Sequence, residues 1–336
     1  MSTKEQLMAA IAPQVMQIEQ AMHDDLAQGT LGCDPLLVEV LEYGIFNGGK
    51  RLRPLLVLLA ARLAGKDTNE DTQNVLLLAI AFEYLHGATL YHDDVIDRGD
   101  MRRGKPSVVQ QFGVIAAILG GDYLHSRSMF LIGSVGGAKA LEVFCHATNA
   151  MVDGEFLQLR NAENYNLSED DYFSAVQGKT ALLIAATCEI GAMAGGASKV
   201  EQKALADYGL GLGTAFQIVD DLLDYQGDAA TTGKPVGNDF QEGKMTLPVI
   251  LALQDASVQD KKRLLHLLAE DKNDNTEFAE GYALIEKYDG FAASRTKAET
   301  IVADAVSGLE LFSGEDSSKV VLVLRTLADY VLSRNK

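Results

Sequence analysis

Apolar residues recur at the three- and four-residue spacing of an amphipathic helix along almost the whole chain. The pattern is clearest in LLVEVLEYGIF, PLLVLLAARLA, QNVLLLAIAFEYLHGATLYHDDVID and VEQKALADYGLGLGTAFQIVDDLLDY. No run of strict apolar–polar alternation is long enough to predict a sheet. We therefore predict an all-α fold of roughly a dozen helices, some of them apolar on nearly every face, as in a buried bundle surrounded by other helices.

Polar breaks in this pattern are few and lie at residues 46–54, 98–107 and 226–246 and in a turn near 270. The stretch NAENYNLSEDD ends one helix and supplies Ser168 as the N-cap of the next, with Asp171 three residues on. No linker or low-complexity segment divides the chain. We therefore predict a single domain over residues 1–336, a helical bundle with a central cavity.

The composition excludes several function classes. A chain of 336 residues with a net charge of −18 lacks the basic face that nucleic acid requires, and charge alone would not bind it to an anionic membrane. The widely spaced Cys33, Cys145 and Cys188 indicate neither a disulfide framework nor a zinc site. The N-terminus lacks the apolar run of a signal peptide, and the longest apolar stretch, from Thr180, is interrupted by Glu189. We expect a cytoplasmic protein without an integral membrane segment.

One carboxylate pattern, HDDVID and VDDLLD, ends two of the predicted helices, both longer than average. Asp93 and Asp97 share a helix face, as do Asp220 and Asp224, with Asp221 beside them. Like charges at this spacing repel, and the C-terminal end of a helix already disfavours negative charge. One such motif is equally well explained by a solvated helix end, but two indicate a bound cation. Oxygen ligands without His or Cys favour Mg²⁺, which completes its shell with water and phosphate oxygens.

Basic residues are grouped beside helix boundaries in this acidic chain. The group consists of Lys50, Arg51, Arg53, Arg102, Arg103, Lys105, Lys179, Lys234 and Lys244. Arginine binds phosphate as a fork and lysine as a point charge. Together with the aspartates they predict a metal-bridged diphosphate in a helical cavity. If the diphosphate leaves an allylic carbon, the carbocation requires a dry apolar site with oriented dipoles, such as Gln217. His86, two turns before Asp93, either contacts a phosphate or packs within its helix.

At this point the chain resembles a known family. GGKRLRP, HGATLYHDDVID, MRRGKPS, GKTA, FQIVDDLLD and GKPVGNDFQEGKMTLP, between about Gly48 and Pro248, are similar in kind and order to the motifs of trans-isoprenyl diphosphate synthases, the polyprenyl synthetase family, and of its long-chain, octaprenyl-type members. The resemblance implies the isoprenoid synthase fold and a homodimer. It also implies head-to-tail condensation of isopentenyl diphosphate onto an allylic diphosphate primer, farnesyl or geranyl diphosphate.

The same resemblance implies roles for individual residues. Asp93 and Asp97, supported by Asp94, would hold Mg²⁺ on the allylic substrate. Asp220, with Asp221 and Asp224, would bind a further Mg²⁺ on the same diphosphate, and the family pattern implies three ions in all. The residues implied to bind isopentenyl diphosphate are Lys50, Arg53, His86 and Arg103. Those implied to hold the allylic diphosphate are Arg102, Lys179, Lys234 and Lys244. Thr180 and Gln217 would line the reacting carbons.

Helix geometry also gives an expectation for product length. The growing chain should run along the helix that carries Asp93, where Ala88 and Thr89 lie one turn before the aspartates and Leu85 follows. Shorter-chain relatives tend to place a bulky aromatic residue there, whereas these side chains leave the tunnel open. Phe144 is either the floor or an ordinary core residue. We expect a product longer than geranylgeranyl diphosphate and close to octaprenyl diphosphate, as used for quinone side chains.

Four other functions are compatible with part of this pattern. A class I terpene cyclase lacks an isopentenyl site and replaces the second aspartate motif. A head-to-head synthase spaces its aspartates differently. Intact VDDLLD and GGKRLR argue against both. A shorter-chain farnesyl or geranylgeranyl synthase and a non-catalytic subunit of a heteromeric synthase remain as alternatives to the long-chain enzyme.

Overall fold

The computed structural model describes residues 3–65, 69–164, 168–227, 236–269 and 275–334, and these are almost entirely helical. The all-α prediction is therefore confirmed. The helices are α1 (Thr3–Gly29), α2 (Pro35–Ile45), α3 (Leu52–Leu63), α4 (Asn69–Ile96), α5 (Val108–Phe112), α6 (Val114–Leu131), α7 (Gly137–Asn164), α8 (Glu169–Val176), α9 (Leu182–Gly195), α10 (Lys199–Gln226), α11 (Asn238–Gln241), α12 (Leu247–Asp255), α13 (Val258–Ala269), α14 (Asn275–Lys287), α15 (Gly290–Ser307) and α16 (Glu315–Leu332). Two π-helical turns, Ile132–Gly136 and Gln177–Ala181, and a 3₁₀ turn, Gly308–Leu311, join consecutive helices.

A small hairpin interrupts this helical pattern in the basic stretch after α4. Strands β1 (Met101–Arg102) and β2 (Lys105–Pro106) pair antiparallel, with Arg102 opposite Lys105. The two turn residues, Arg103 and Gly104, have φ of 53° and 78°, the left-handed conformation that tight two-residue hairpin turns require. Strands of two residues carry too little alternation to be predicted from sequence.

The structure divides into two compact units. The first unit consists of Met1–Cys145, Ala186–Leu205 and Gly314–Val320, and the second of His146–Ala185, Ala206–Ser313 and Val321–Lys336. The first unit contains Asp93, Asp94 and Asp97, hereafter the first aspartate motif. The second unit contains Asp220, Asp221 and Asp224, hereafter the second aspartate motif. A single domain over residues 1–336 stays a prediction.

In the first unit, α4 packs against α3 and α6 and carries much of the core. Phe82 and Tyr84 are completely buried on α4, and Phe144 meets Phe82 edge-on with the ring centroids 5.4 Å apart. The Tyr84 hydroxyl donates a hydrogen bond to the Met22 carbonyl of α1 at 3.1 Å. The burial of aromatic side chains on α4 fixes the helix that ends in the first aspartate motif.

In the second unit, an aromatic cluster surrounds the end of α10. Tyr225 is 2% exposed and lies within 6.4 Å of the ring centroids of Phe240, Phe278 and Phe291. The hydroxyls of Tyr225 and Thr246 share a hydrogen bond of 3.0 Å. This cluster fixes the last turn of α10 immediately beside the second aspartate motif.

The predicted breaks and caps agree with the described residues. Residues 46–51 separate α2 from α3, and the Ser168 hydroxyl accepts the Asp171 backbone N–H at 3.2 Å as the N-cap of α8. All three cysteines are free, and Cys188 is buried. Residues 228–235 and 270–274 of the two later polar breaks lie outside the described residues.

Two helical stretches have the length and composition of a membrane span, Thr72–Ile96 and Val114–Asn161. The first is 67% buried inside the protein over its most apolar window, and the second 28%. Length and composition are weak evidence for a span, since the core helices of soluble proteins meet the same criteria.

Candidate active site

The first aspartate motif lies at the C-terminal end of α4. The helix ends at Ile96, yet the Asp97 backbone N–H still donates to the Asp93 carbonyl at 2.7 Å. The helical turn therefore closes, and the two side chains lie on one face, as the spacing predicts. Asp93 is half-buried and Asp97 is exposed.

Asp94 is turned about 100° from Asp93 around the helix axis and pairs with a basic side chain. It is only 3% exposed, and its Oδ1 accepts two hydrogen bonds from Arg102, from Nε at 3.1 Å and from Nη2 at 2.6 Å. The pair connects α4 to the hairpin that carries Arg102. The buried Asp94 carboxylate therefore orients the guanidinium of Arg102, a residue that the sequence predicts to bind the allylic diphosphate.

A cluster of cationic and imidazole groups lies beside α4 in the same unit. The pKa of His86 is well below its usual range, because burial disfavours the charged form and Arg53 and Arg103 repel it. Burial also lowers the pKa of both arginines, and Glu83 only partly offsets this. Within the described residues, the buried Nε of Arg53 has no hydrogen-bond acceptor. A phosphate would supply the negative charge and acceptor oxygens that this cluster lacks.

The glycine pair before α3 shapes this cluster. The Arg103 side chain donates from Nη1 to the Gly48 carbonyl. Gly49 has a φ of 136°, and a Cβ there would lie 2.9 Å from Arg103 Nη1. The backbone conformation therefore favours glycine, and a Cβ would force the Arg103 guanidinium to shift. Lys50, the next residue, is exposed.

Arg51 belongs to the same basic stretch but has a structural function. Its side chain is 2% exposed, Nη1 donates to Glu83 Oε1 at 2.7 Å, and Nη2 donates to the Ile45 carbonyl at 3.0 Å. These contacts join the end of α2 to α4. Sequence grouping alone does not separate this buried cation from Lys50 and Arg53, since charge carries no information on side-chain direction.

The residues proposed for chain length lie along α4 and on α7. Leu85 and Ala88 are each 2% exposed, and Thr89 is half-buried with its hydroxyl donating to the His86 carbonyl at 2.9 Å. Phe144 is completely buried against Phe82. Phe82 lies three residues before Leu85, so this aromatic pair lies about one turn further along α4.

The second aspartate motif lies within α10, and each of its carboxylates has a different holder. Arg334 Nη1 lies 2.9 Å from Asp220 Oδ1. Tyr172 Oη donates to Asp221 Oδ2 at 2.7 Å. The Asp239 backbone N–H donates to Asp224 Oδ2 at 2.9 Å. These three contacts come from three separate segments of the chain.

Negative charge accumulates at this motif. Burial, with the nearby Asp239 carboxylate, raises the pKa of Asp221 well above its usual range. The same two causes raise the pKa of Asp224 to about 6. The Tyr172 hydrogen bond opposes the rise at Asp221, because a donor stabilises the ionised form.

Residues predicted to contact the reacting part of the substrate are brought together in the second unit. The π-helical turn Gln177–Ala181 presents Lys179 and Thr180. Lys179 Nζ lies 2.7 Å from Glu155 Oε1 and 3.1 Å from Gln158 Oε1, both on α7. Thr180 donates from Oγ1 to Gln217 Oε1 at 3.2 Å. The helix distortion lies at the position where substrate contacts are expected, as π-helical turns often do.

Lys244 and Lys234 were both predicted to hold the allylic diphosphate. Lys244 Nζ lies 2.9 Å from Asp239 Oδ1 and 2.7 Å from Glu242 Oε2. Burial opposes its charge, but these two carboxylates outweigh burial and raise the pKa of the ammonium group above its ordinary value. Lys234 lies outside the described residues.

The donor set suits a hard divalent cation in part. In the described ranges, no group of three or more His, Cys, Asp or Glu side chains is already arranged to hold a metal ion. Nevertheless, the crowded carboxylates of the second motif have raised pKa values that a bound cation would relieve. Oxygen donors that cover only part of a coordination shell fit Mg²⁺, which keeps waters and takes phosphate oxygens.

Several residues of this site were not found from the sequence. Glu155, Gln158, Tyr172, Asp239 and Arg334 contact predicted site residues at 2.7–3.1 Å. Asp239 lies inside GKPVGNDFQEGKMTLP, and its position in that motif is the sequence signal that identifies it as a candidate. Arg334 and Tyr172 lie far from the aspartates in sequence, and only tertiary packing brings them there.

Comparison with known proteins identifies the family. Residues 34–285 match the polyprenyl synthetase family model. The chain is 40% identical to an octaprenyl diphosphate synthase of Escherichia coli over 70% of this chain and 72% of the relative. It is 36% identical to a short chain isoprenyl diphosphate synthase of Methanothermobacter thermautotrophicus, over 89% and 90%.

A solved structure agrees with these matches. The polyprenyl synthase of Caulobacter crescentus, determined in complex with calcium and isoprenyl diphosphate, superposes with a TM-score of 0.86 at 34% identity, covering 100% of this chain and 98% of that one. The predicted fold and the predicted family are therefore confirmed. The chain belongs to the polyprenyl synthetase family, the prenyltransferases that make trans-polyprenyl diphosphates.

Proposed function

We propose that this protein is a cytoplasmic, Mg²⁺-dependent synthase that condenses isopentenyl diphosphate head-to-tail onto farnesyl or geranyl diphosphate and makes a long-chain polyprenyl diphosphate for a quinone side chain. The observation that carries the proposal is that each unit contains one carboxylate motif and a set of cationic side chains, with Arg53 and Arg103 in the first unit and Lys179 and Lys244 in the second. Each cationic group offers donors suited to phosphate.

The first step is loss of the allylic diphosphate. Mg²⁺ on the diphosphate would neutralise its charge and make it a better leaving group. Asp93 and Asp97, and Asp220 with Asp221 and Asp224, would bind that ion set, for which we propose three ions. Lys179, Lys234, Lys244 and Arg102 would bind the phosphate oxygens directly.

The carbocation that remains is then stabilised and captured. Gln217 Oε1 accepts the Thr180 hydroxyl at 3.2 Å, which orients the amide dipole. We propose that this pair faces the allylic carbon and stabilises positive charge there. Lys50, Arg53, His86 and Arg103 would hold isopentenyl diphosphate so that its double bond attacks, and the released diphosphate would take the proton.

The proposed product length rests on α4. Ala88 and Thr89 are small, so an elongating chain can pass along this face of the helix. The buried pair Phe144 and Phe82 lies further along α4 and would form the floor. Both long-chain and short-chain relatives resemble this chain, so family membership alone does not set the product length, and we propose that these residues do.

We also propose a homodimer through α6. Several large apolar side chains of this helix are exposed in the single chain: Val114, Ile115, Ile118, Leu119, Met129 and Phe130. Exposed apolar surface of this kind is typical of protein interfaces. A second copy of the chain would cover it, and light scattering of the purified protein measures the mass directly.

Product analysis tests the function. The protein is incubated with farnesyl diphosphate, labelled isopentenyl diphosphate and Mg²⁺, and the labelled products are separated by chain length. A polyprenyl diphosphate longer than geranylgeranyl, formed only with Mg²⁺ and lost with EDTA, is expected. A product that stops at geranylgeranyl diphosphate would refute the open tunnel, but the proposed condensation reaction would still stand. No product would favour the non-catalytic subunit.

A further inference from the structure

We propose that Tyr172 is a positioning residue that holds Asp221 in the orientation needed for metal binding at the second aspartate motif; the inference rests on the proposed role of the divalent cation. Tyr172 Oη donates to Asp221 Oδ2 at 2.7 Å. The tyrosine is 7% exposed, so water contributes little to this contact. The hydrogen bond uses the carboxylate oxygen Oδ2, and the other oxygen, Oδ1, is the atom that we propose binds the metal ion.

Asp221 needs such a holder because of its position on α10. Consecutive residues of a helix point about 100° apart, so Asp221 is turned away from Asp220, although it lies on the same side of the helix as Asp224, three residues on. The Asp239 carboxylate also repels it. A carboxylate that can rotate about its side-chain bonds would turn away from these charges, and the phenol hydrogen bond opposes that rotation.

Tyr172 is itself held in place by several contacts of α8. Ser168 caps the start of this helix. Glu169 accepts a hydrogen bond from Gln254 at 3.1 Å and pairs with Lys297 at 2.8 Å. These contacts anchor α8 to α12 and α15 within the second unit, so the phenol is presented from a fixed element.

The same short segment also places two predicted substrate residues. The π-helical turn that follows α8 directly carries Lys179 and Thr180. Gly178 in that turn packs closely on α7, where a Cβ would lie 2.8 Å from the Ala150 carbonyl oxygen. One rigid segment thus orients both a metal-binding carboxylate and the diphosphate-binding lysine.

The test compares two tyrosine variants in Mn²⁺ binding. Tyr172→Phe keeps the ring and removes the donor. Tyr288→Phe is a matched control, because Tyr288 Oη donates to Asp260 Oδ2 at the same 2.7 Å in the same unit. Mn²⁺ is titrated by electron paramagnetic resonance with a non-cleavable thio analogue of the allylic diphosphate present. We expect a roughly tenfold loss of Mn²⁺ affinity in Tyr172→Phe and none in Tyr288→Phe.

A double-mutant cycle separates positioning from a general structural effect. In an Asp221→Asn background, Tyr172→Phe should cause no further loss of Mn²⁺ affinity, since the group that it positions is already changed. Equal losses in both backgrounds would overturn the proposal. Should Tyr172→Phe fail to fold, wild-type Mn²⁺ affinity in Asp221→Asn would still overturn the proposal, because the carboxylate that Tyr172 positions would then not bind the metal ion.

Failure of the metal role is distinguishable from failure of this inference. If the wild-type protein takes up no Mn²⁺ with the analogue, the proposed metal dependence is wrong and the role of Tyr172 falls with it. If the wild type binds Mn²⁺ and Tyr172→Phe binds it equally well, only the positioning role is overturned.

Discussion

The two aspartate motifs have the same spacing but different surroundings. In the first, α4 ends at Ile96, inside the motif, and Asp97 is exposed. In the second, α10 continues to Gln226, two residues beyond Asp224, and a cluster of aromatic side chains holds its end. The same pattern thus occurs once where its helix ends and once before the final residues of a helix that continues past it.

The companions of the two motifs differ as well. In the first, Asp94 pairs with Arg102 from the hairpin that directly follows α4. In the second, the partners Tyr172 and Arg334 come from distant parts of the chain. Spacing fixes which carboxylates share a face, whereas the element on which the motif lies decides how far they are pre-oriented.

Removing one carboxylate from each motif should have the largest effect. Asp93→Ala and Asp220→Ala should each lower turnover by about 10³-fold or more, equivalent to roughly 4 kcal/mol of transition-state stabilisation. The reason is that each would lose a ligand of the ion that activates the leaving group. Steady-state assays measure this, and circular dichroism should show unchanged helix content.

Asp316→Ala is the control for this pair of variants. Asp316 is 98% exposed and pairs only weakly with Lys319, at 3.3 Å, so its loss should leave turnover unchanged. Loss of helix content in Asp93→Ala would instead indicate that the motif is a structural helix end.

Neighbouring cations in the first unit should separate into a structural and a functional class. Arg51→Ala removes one partner of a buried pair and should lower the free energy of unfolding by about 3–5 kcal/mol. Lys50→Ala should leave that free energy almost unchanged and raise KM for isopentenyl diphosphate. Urea denaturation and initial-rate measurements distinguish them. Equal destabilisation by both variants would refute the division.

The residues in the helical turn before each motif also differ, and we propose that those before the first motif affect product length. Gln217 precedes Asp221 by four residues and is hydrogen-bonded to Thr180, whereas Thr89 and Ala88 precede Asp93 on α4. Ala88→Phe should therefore shorten the product by several isoprene units while the first condensation proceeds. Chromatography of the products measures the change. An unchanged product would remove α4 from the path of the chain.

The smallest expected effect concerns Gly49. Gly49→Ala places a Cβ against Arg103 Nη1 and should raise KM for isopentenyl diphosphate several-fold. Gly48→Ala is the matched control, because Gly48 also has a positive φ, 77°, but a Cβ there meets nothing within 4 Å. Both should lose similar stability from the strained backbone. A higher KM in Gly48→Ala as well would assign the effect to strain rather than to Arg103.

The sequence predicted the helical fold and the two motifs because both depend on local periodicity. Asp93 and Asp97 share a face for the same reason that apolar residues do. The N-cap at Ser168 is likewise a local signal and was predicted correctly.

Partners brought in by tertiary packing could not be predicted. The buried Nε of both Arg51 and Arg53 has no hydrogen-bond acceptor among the described residues, yet the Arg51 guanidinium also donates to Glu83 Oε1 at 2.7 Å. Tyr172 lies 49 positions from Asp221. Such contacts depend on how helices pack, and side-chain spacing along one element carries no information about them.

Anomalous scattering from Mn²⁺ tests the central claim most directly, that both aspartate motifs bind the metal ions of the allylic diphosphate. Crystals grown with Mn²⁺ and the thio analogue should show anomalous peaks within coordination distance of Asp93 and Asp97 and of Asp220. Crystals that contain the bound analogue but lack a peak beside one or both motifs would contradict the account.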